Sequence, residues 1–269
     1  AFALPNSGWS DQGRMNQPQG LRDISAESLI RYPTGSAEID RVLGGGLIPG
    51  SLILLGGDPG IGKSTLLLQV AGWLAKRHGP VLYISAEESI QQIALRANRL
   101  GLDSAQLLVM GEANLDAVAE QVKVLQPKML IIDSIQTVFR PELAMAPGSI
   151  GQVRESTAFL MKLAKTSQLV TWIVGHVTKD GAIAGPRVLE HIVDVVLYLE
   201  GEGQHAFRML RAVKNRFGST NESGLLEMRE MGLVDVENPS EWFLAERPVG
   251  TAGSVVVATL EGTRPLLVE

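Results

Sequence analysis

Apolar and polar positions change their period several times along the chain, and each change marks an element. Ser51 to Leu55 is a short apolar run that predicts a buried strand. Lys63 to Arg77 then keeps a helical pattern until His78-Gly79-Pro80 stops it. Val81 to Ser85 predicts a second strand, Ile90 to Leu100 a helix stopped at Gly101, and Leu107 to Met110 another short strand. Leu115, Val118, Val122 and Leu125 recur at helical spacing up to Pro127. Met129 to Ile132 reads as a buried strand, residues 152–166 as a helix, and Val170 to Val174 as a strand. Ahead of this series, Thr34 to Asp40 looks like a capped helix start, and Gly44-Gly45-Gly46 forces a turn.

Strands and helices alternating at these lengths imply stacked βαβ units: an α/β fold whose mostly parallel sheet carries helices on both faces. The character changes after about residue 192. Val193 to Leu199, Phe207 to Val213 and Leu225 to Met228 are strand-like, with turn signals at Gly201, Gly203 and Gly218. They read as antiparallel strands added at one edge. Ser254 to Leu260 predicts the first strand of something further on. Residues 1 to about 20 are rich in Gly, Asn, Gln, Ser and Pro and read as a flexible leader.

The chain has 269 residues, 45% of them hydrophobic and 20% charged, which suits one large α/β domain and argues against general disorder. A net charge of −5 with no basic tail does not advertise nucleic-acid binding. It does not exclude it either, because a ring holds DNA with a few basic residues facing its channel. The absence of cysteine excludes disulfides and thiolate metal sites. No apolar run reaches the length of a membrane span, and no secretory segment opens the chain. The expectation is a soluble, cytoplasmic protein with no membrane partner.

Chemistry is densest at Gly57-Asp58-Pro59-Gly60-Ile61-Gly62-Lys63-Ser64, followed by Thr65. This matches G-x-x-x-x-G-K-[ST], placed between an apolar strand and a helix as the motif requires. Its glycines let backbone N–H groups wrap the phosphates of ATP or ADP, and the helix N-terminus adds a favourable dipole. Lys63 is expected at the β- and γ-phosphates, the Ser64 hydroxyl on Mg²⁺, and Thr65 near the α-phosphate. Four apolar residues lead into Asp133, which is expected at the C-terminal end of its strand to manage the metal's water shell. A helix-capping Asp is the plainer reading. Glu87 and Glu88 follow the second strand; Glu87 is favoured as the base that activates water, with first-turn helix acids as the alternative. His176, just beyond the strand Val170 to Val174, is a candidate γ-phosphate contact, or an ordinary strand terminus.

Residues Tyr32 to Leu47 (YPTGSAEIDRVLGGGL) resemble the segment leading into a RecA-type ATPase core. Lys214-Asn215-Arg216-Phe217-Gly218 resembles the KNRFG signature of the bacterial RadA (Sms) DNA-repair proteins. Ser85 to Ser89, Gly175 to Gly181 and Ile183 to His191 resemble the same family. The likeness runs over about residues 20–269. It implies a RecA-like P-loop NTPase fold and a hexameric ring motor, related to DnaB-type helicases. Such motors hydrolyse ATP to drive branch migration in homologous recombination and DNA repair. The implied partners are single-stranded or branched DNA, further copies of the chain, and a recombinase. Family members also carry a four-cysteine zinc finger and a Lon-protease-like domain. This sequence has no cysteine, and residues 249–269 resemble only the opening of the Lon-like part. The expected layout is thus a leader at 1–20, an ATPase domain at 21–248 and a Lon-like start at 249–269.

Lys214 and Arg216 alternate along a strand-like segment, so both should point one way, beside a flexible Phe217-Gly218 turn. Such cations could reach a neighbouring subunit's γ-phosphate; a solvated basic edge strand is the alternative. Two long, poorly periodic segments, Phe139 to Gly151 and Thr178 to Arg187, are expected to face a ring's channel. There Arg140, Lys179 and Arg187 would be phosphate contacts. His176 would couple hydrolysis to the second of these loops. The competing function is a KaiC-like regulatory ATPase that switches partners without moving DNA. A protease is a remote third, because no Ser/Lys dyad can be placed.

Overall fold

The computed structural model describes residues 30–176, 186–201, 206–240 and 255–268. Ala1–Ile30 separates as its own unit, of which only Ile30 is described; the rest belongs to one compact unit, Arg31–Glu269.

Nine strands form one sheet among the described residues: β1 (Leu52–Gly57), β2 (Val81–Ser85), β3 (Leu107–Met110), β4 (Met129–Asp133), β5 (Val170–His176), β6 (Val195–Glu200), β7 (Phe207–Asn215), β8 (Ser223–Arg229) and β9 (Gly232–Asp235). Their spatial order is β3-β2-β4-β5-β1-β6-β7-β8-β9. The first six run parallel, and β7 to β9 add antiparallel beyond β6, as the pattern predicts. β1, β2 and β4 are buried along their whole length, which is why they read as continuous apolar runs.

Helices cover both faces. α1 (Ala37–Leu43), α2 (Lys63–His78) and α3 (Ile90–Arg99) pack with Ile53, Tyr83, Ile131 and Trp172 on one face. α4 (Leu115–Leu125), α5 (Ile150–Ser167) and the residue closing α6 (Pro186–Leu189) pack with Leu54, Ile84, Ile132 and Ile173 on the other. The alternation of these strand residues between two cores follows from the two-residue period of a pleated strand. Helix starts are set by local chemistry. Ser36 caps α1 by accepting from the Ile39 amide, Ser89 and Gln92 form a reciprocal capping box on α3, and Asn114 and Ser149 cap α4 and α5.

β10 (Val257–Glu261) and β11 (Arg264–Val268) form a separate antiparallel hairpin. The pattern predicts its first strand but neither β11 nor β9. The hairpin is tied to the main unit: the Thr263 amide donates to Glu222 Oε1, just before β8, at 2.9 Å, and Arg264 pairs with the buried Glu38 of α1. Among the described residues, no helix is long and apolar enough to cross a membrane.

The register places function. Gly57 of β1 lies opposite His176 of β5, and Ser85 of β2 opposite Asp133 of β4. Four neighbouring strands therefore end together at one edge of the sheet, where open α/β folds bind ligands.

Candidate nucleotide site

The loop from Gly57 to Gly62 leaves β1 and enters α2. Gly57 has φ 148°, and a Cβ there would lie 2.4 Å from the Leu199 carbonyl oxygen. Gly62 has φ 115°, and a Cβ there would meet Met228 at 2.7 Å. Gly57 therefore demands glycine on backbone and packing grounds together, and Gly62 on backbone grounds. From behind, Arg208 of β7 donates through Nε to the Ile61 carbonyl at 3.1 Å and supports the loop. Gly62 is the N-cap of α2 and offers no side-chain cap, so the first amides of a sixteen-residue helix are left to an incoming anion.

Lys63 is buried, and its ammonium donates to the Gly57 and Asp58 carbonyls at 2.7 and 2.8 Å. Burial pulls its pKa below the usual lysine value, opposed by the nearby carboxylates of Asp133, Asp58 and Glu87. A cleft of about 310 Å³ opens over these residues, lined by Gly60, Lys63, Ser64, Thr65, Glu87 and Asp133 among others. A glycine cradle, an uncapped helix start, one buried cation and facing carboxylates fit a nucleotide polyphosphate with its divalent ion. Ser64 and Asp133 line the same cleft as oxygen donors able to serve that ion, directly or through its water shell.

At the neighbouring strand ends the two adjacent glutamates part company. Glu87 accepts a hydrogen bond from the Ser134 hydroxyl and so turns towards the end of β4. Glu88 pairs with Arg96 of α3 at 2.6 Å, while its amide donates to the Ser85 hydroxyl. Asp133 accepts from the Tyr83 hydroxyl at 2.5 Å. Burial, then the charge of Asp133, pushes the Tyr83 pKa well above its usual value, so Tyr83 is a fixed neutral donor. Tyr83, Ser134, Arg96 and Arg208 escape sequence reasoning. One signal was available: Tyr83 is the lone polar-tipped side chain in an otherwise aliphatic stretch two residues before Ser85.

The remaining expected residues lie elsewhere. The backbone of His176 ends β5 beside Gly57; its side chain, that of Arg187 and the whole of Lys179 lie outside the described residues. Arg140 is held by its own chain in this structure, and its contact with nucleic-acid phosphate stays a proposal. Its guanidinium pairs with Asp116 at 3.1 Å and Glu142 at 2.6 Å and stacks on the Phe159 ring at 4.1 Å, so it pins the loop to α4 and α5.

Lys214 and Arg216 sit at the opposite edge of the sheet. Lys214 donates to the Glu190 and Val193 carbonyls at 2.6 and 2.8 Å, and burial followed by the Arg216 charge lowers its pKa. Arg216 is half-exposed and pairs with the buried Asp194 at 3.2 Å. Asp194 also takes the Lys165 ammonium and the Leu52 amide. Leu52 begins β1 and Gly57 ends it, so these cations lie about 16 Å along the strand from the chain's own glycine loop. The expected flexible turn is instead held: Arg31 donates to the Phe217 carbonyl at 3.0 Å, and the Phe217 ring packs on the core.

Fold and site together define a P-loop nucleotide-binding protein of the RecA-like α/β class. A family described as an AAA domain matches residues 24–182, and the chain belongs to it. The chain is 56% identical to the DNA repair protein RadA of Listeria monocytogenes over 98% of its own length and 58% of the relative's. Identity to RadA of Bacillus subtilis is 55%, over 95% and 56% of the two chains. For RadA of Streptococcus pneumoniae the figures are 56%, 99% and 63%. These matches bear out the resemblance to bacterial RadA carried by Lys214 to Gly218. The chain spans less than two thirds of each of these relatives. A KaiC-like protein of Pyrococcus horikoshii has the same fold, with a TM-score of 0.63 at 21% identity over 77% of this chain and 99% of that one.

Proposed function

We propose that the chain is the ATPase core of a RadA-type DNA-repair motor, which hydrolyses ATP at the cleft and uses the cycle to move DNA. The observation that carries the ATPase reading is the convergence of Lys63, Ser64, Asp133 and Glu87 on one cleft above a glycine loop. The glycine-loop amides and Lys63 hold the β- and γ-phosphates. A bound Mg²⁺ would offset charge between the phosphates, held by Ser64 and the shell that Asp133 organises. Glu87, oriented by Ser134, takes a proton as a water oxygen bonds to the γ-phosphorus. The bridging oxygen–γ-phosphorus bond breaks, and its electron pair stays on ADP.

The motor reading rests on the RadA relatives and on where the KNRFG cations lie. Lys214 and Arg216 are remote from their own cleft, so the role that suits them is contact with a neighbour's γ-phosphate in a hexameric ring. His176 would sense the γ-phosphate and couple it to the segment that follows, where Lys179 and Arg187 would contact DNA in the channel. A recombinase remains the proposed protein partner, and 249–269 the proposed start of a Lon-like part. The test is an ATPase and branch-migration assay over a range of salt, with mass measurement in the presence of nucleotide. A motor of this kind assembles with nucleotide, is stimulated by single-stranded DNA, and loses that stimulation as salt rises. Turnover indifferent to DNA at every salt concentration would favour the KaiC-like switch instead.

A further inference from the structure

Arg96 lines the same cleft as Lys63, Ser64 and Asp133, yet the phosphate-loop motif does not include it. It comes from α3, whose start is fixed by the Ser89–Gln92 capping box. One arm of its guanidinium is committed: Nη2 donates to Glu88 Oε1 at 2.6 Å. The other arm, Nη1, is screened from solvent and has no hydrogen-bond partner. A buried donor left unpaired is costly and uncommon, and a charged one more so. Glu87 and Asp133 line the same cleft, so the Arg96 side chain shares a wall with the acidic groups of the site.

We propose that Arg96 is a second cationic contact of the nucleotide site, supplied by the same chain, whose Nη1 turns from its screened position to take an oxygen of the terminal phosphate while Glu88 holds Nη2. This rests on the ATP-hydrolysis reading above and extends it. It also separates the two glutamates by role. Glu87 faces the water; Glu88 is a positioning residue that sets the guanidinium plane. Arginine suits the task because its rigid fork can serve a carboxylate and a phosphate oxygen at once. Charge gathers on the terminal phosphate oxygens as the bond to ADP breaks, so the contact strengthens in the transition state.

The test uses the full chain with Arg96→Gln, Arg96→Lys and Glu88→Gln. Steady-state turnover is read beside calorimetric affinity for Mg·ADP and for Mg·ADP with aluminium fluoride, a mimic of the phosphoryl group in flight. Arg96→Gln is expected to lower kcat by about 100-fold, the scale of losing one preorganised donor. Mg·ADP affinity stays within about threefold, because ADP lacks the phosphate concerned. Affinity for the aluminium fluoride complex falls by tenfold or more. Arg96→Lys recovers part of the loss by keeping the charge, and Glu88→Gln costs less than Arg96→Gln. The proposal is overturned if Arg96→Gln turns over within about twofold of wild type. It is equally overturned if Mg·ADP and aluminium fluoride affinities fall together, which would mark a side chain that only supports the fold. A wild type that binds no nucleotide would overturn the ATPase reading itself, and with it this one.

Discussion

Asp133 shows how a single residue is prepared for work. It is buried at a strand end, and the Tyr83 hydroxyl fixes one of its oxygens at 2.5 Å. Tyr83→Phe removes a buried hydrogen bond to a charged group and leaves the packing intact, so it should cost about 2 kcal/mol of stability. Chemical denaturation of the two proteins measures this, and the same variant should need more Mg²⁺ for half-maximal turnover. The residues of this site divide by how they are encoded. Gly57, Gly62, Lys63 and Ser64 are legible because a phosphate loop is local: spacing and a flanking strand and helix suffice. Asp133 and Glu87 can be picked out because an apolar run ends directly before Asp133 and another ends three residues before Glu87. Tyr83, Ser134, Arg96 and Arg208 are not, because each acts through a partner that only strand register or helix packing brings near. The partners of Arg140 are hidden for the same reason: Asp116 and Phe159 sit on helices that the chain pattern does not place beside it.

Elements follow the same logic one level up. The parallel strands and their helices are legible because burial on both faces of the sheet leaves continuous apolar runs between helical periods. β9 and β11 are not, since Gly232–Asp235 and Arg264–Val268 are short and lack a clear two-residue alternation. The β10–β11 hairpin is more than an appendage. Arg264 and Glu38 pair with side chains only 15% and 5% exposed, and Glu38 also accepts the Leu225 amide of β8. Arg264→Ala leaves a buried carboxylate short of its cation, so it should destabilise the fold by about 3 kcal/mol. Thermal melts of wild type and variant check this. An unchanged melting temperature would mean that the hairpin does not brace α1.

Across the whole molecule, the sheet separates two chemistries. Its C-terminal edge holds the cleft, and its N-terminal edge, five residues away along β1, holds Lys214, Arg216 and Asp194. One chain cannot bring Arg216 to its own Lys63, so an active site that uses both needs two chains. Chains carrying Lys63→Ala and chains carrying Arg216→Ala should each turn over poorly alone. Mixed together they should regain part of the activity, because some interfaces then join an intact glycine loop to an intact Arg216. Steady-state ATPase measured across mixing ratios reads this directly, and a mixture no more active than its parts would remove Arg216 from the neighbour's site.

Beneath every step lies the claim that the glycine loop and Lys63 hold a nucleotide's phosphates. Calorimetric titration of Mg·ADP and Mg·ATP into wild type and Lys63→Ala tests it most directly. The account predicts saturable binding to wild type and its loss in the variant. No binding heat in wild type, or equal affinity in both proteins, would contradict it.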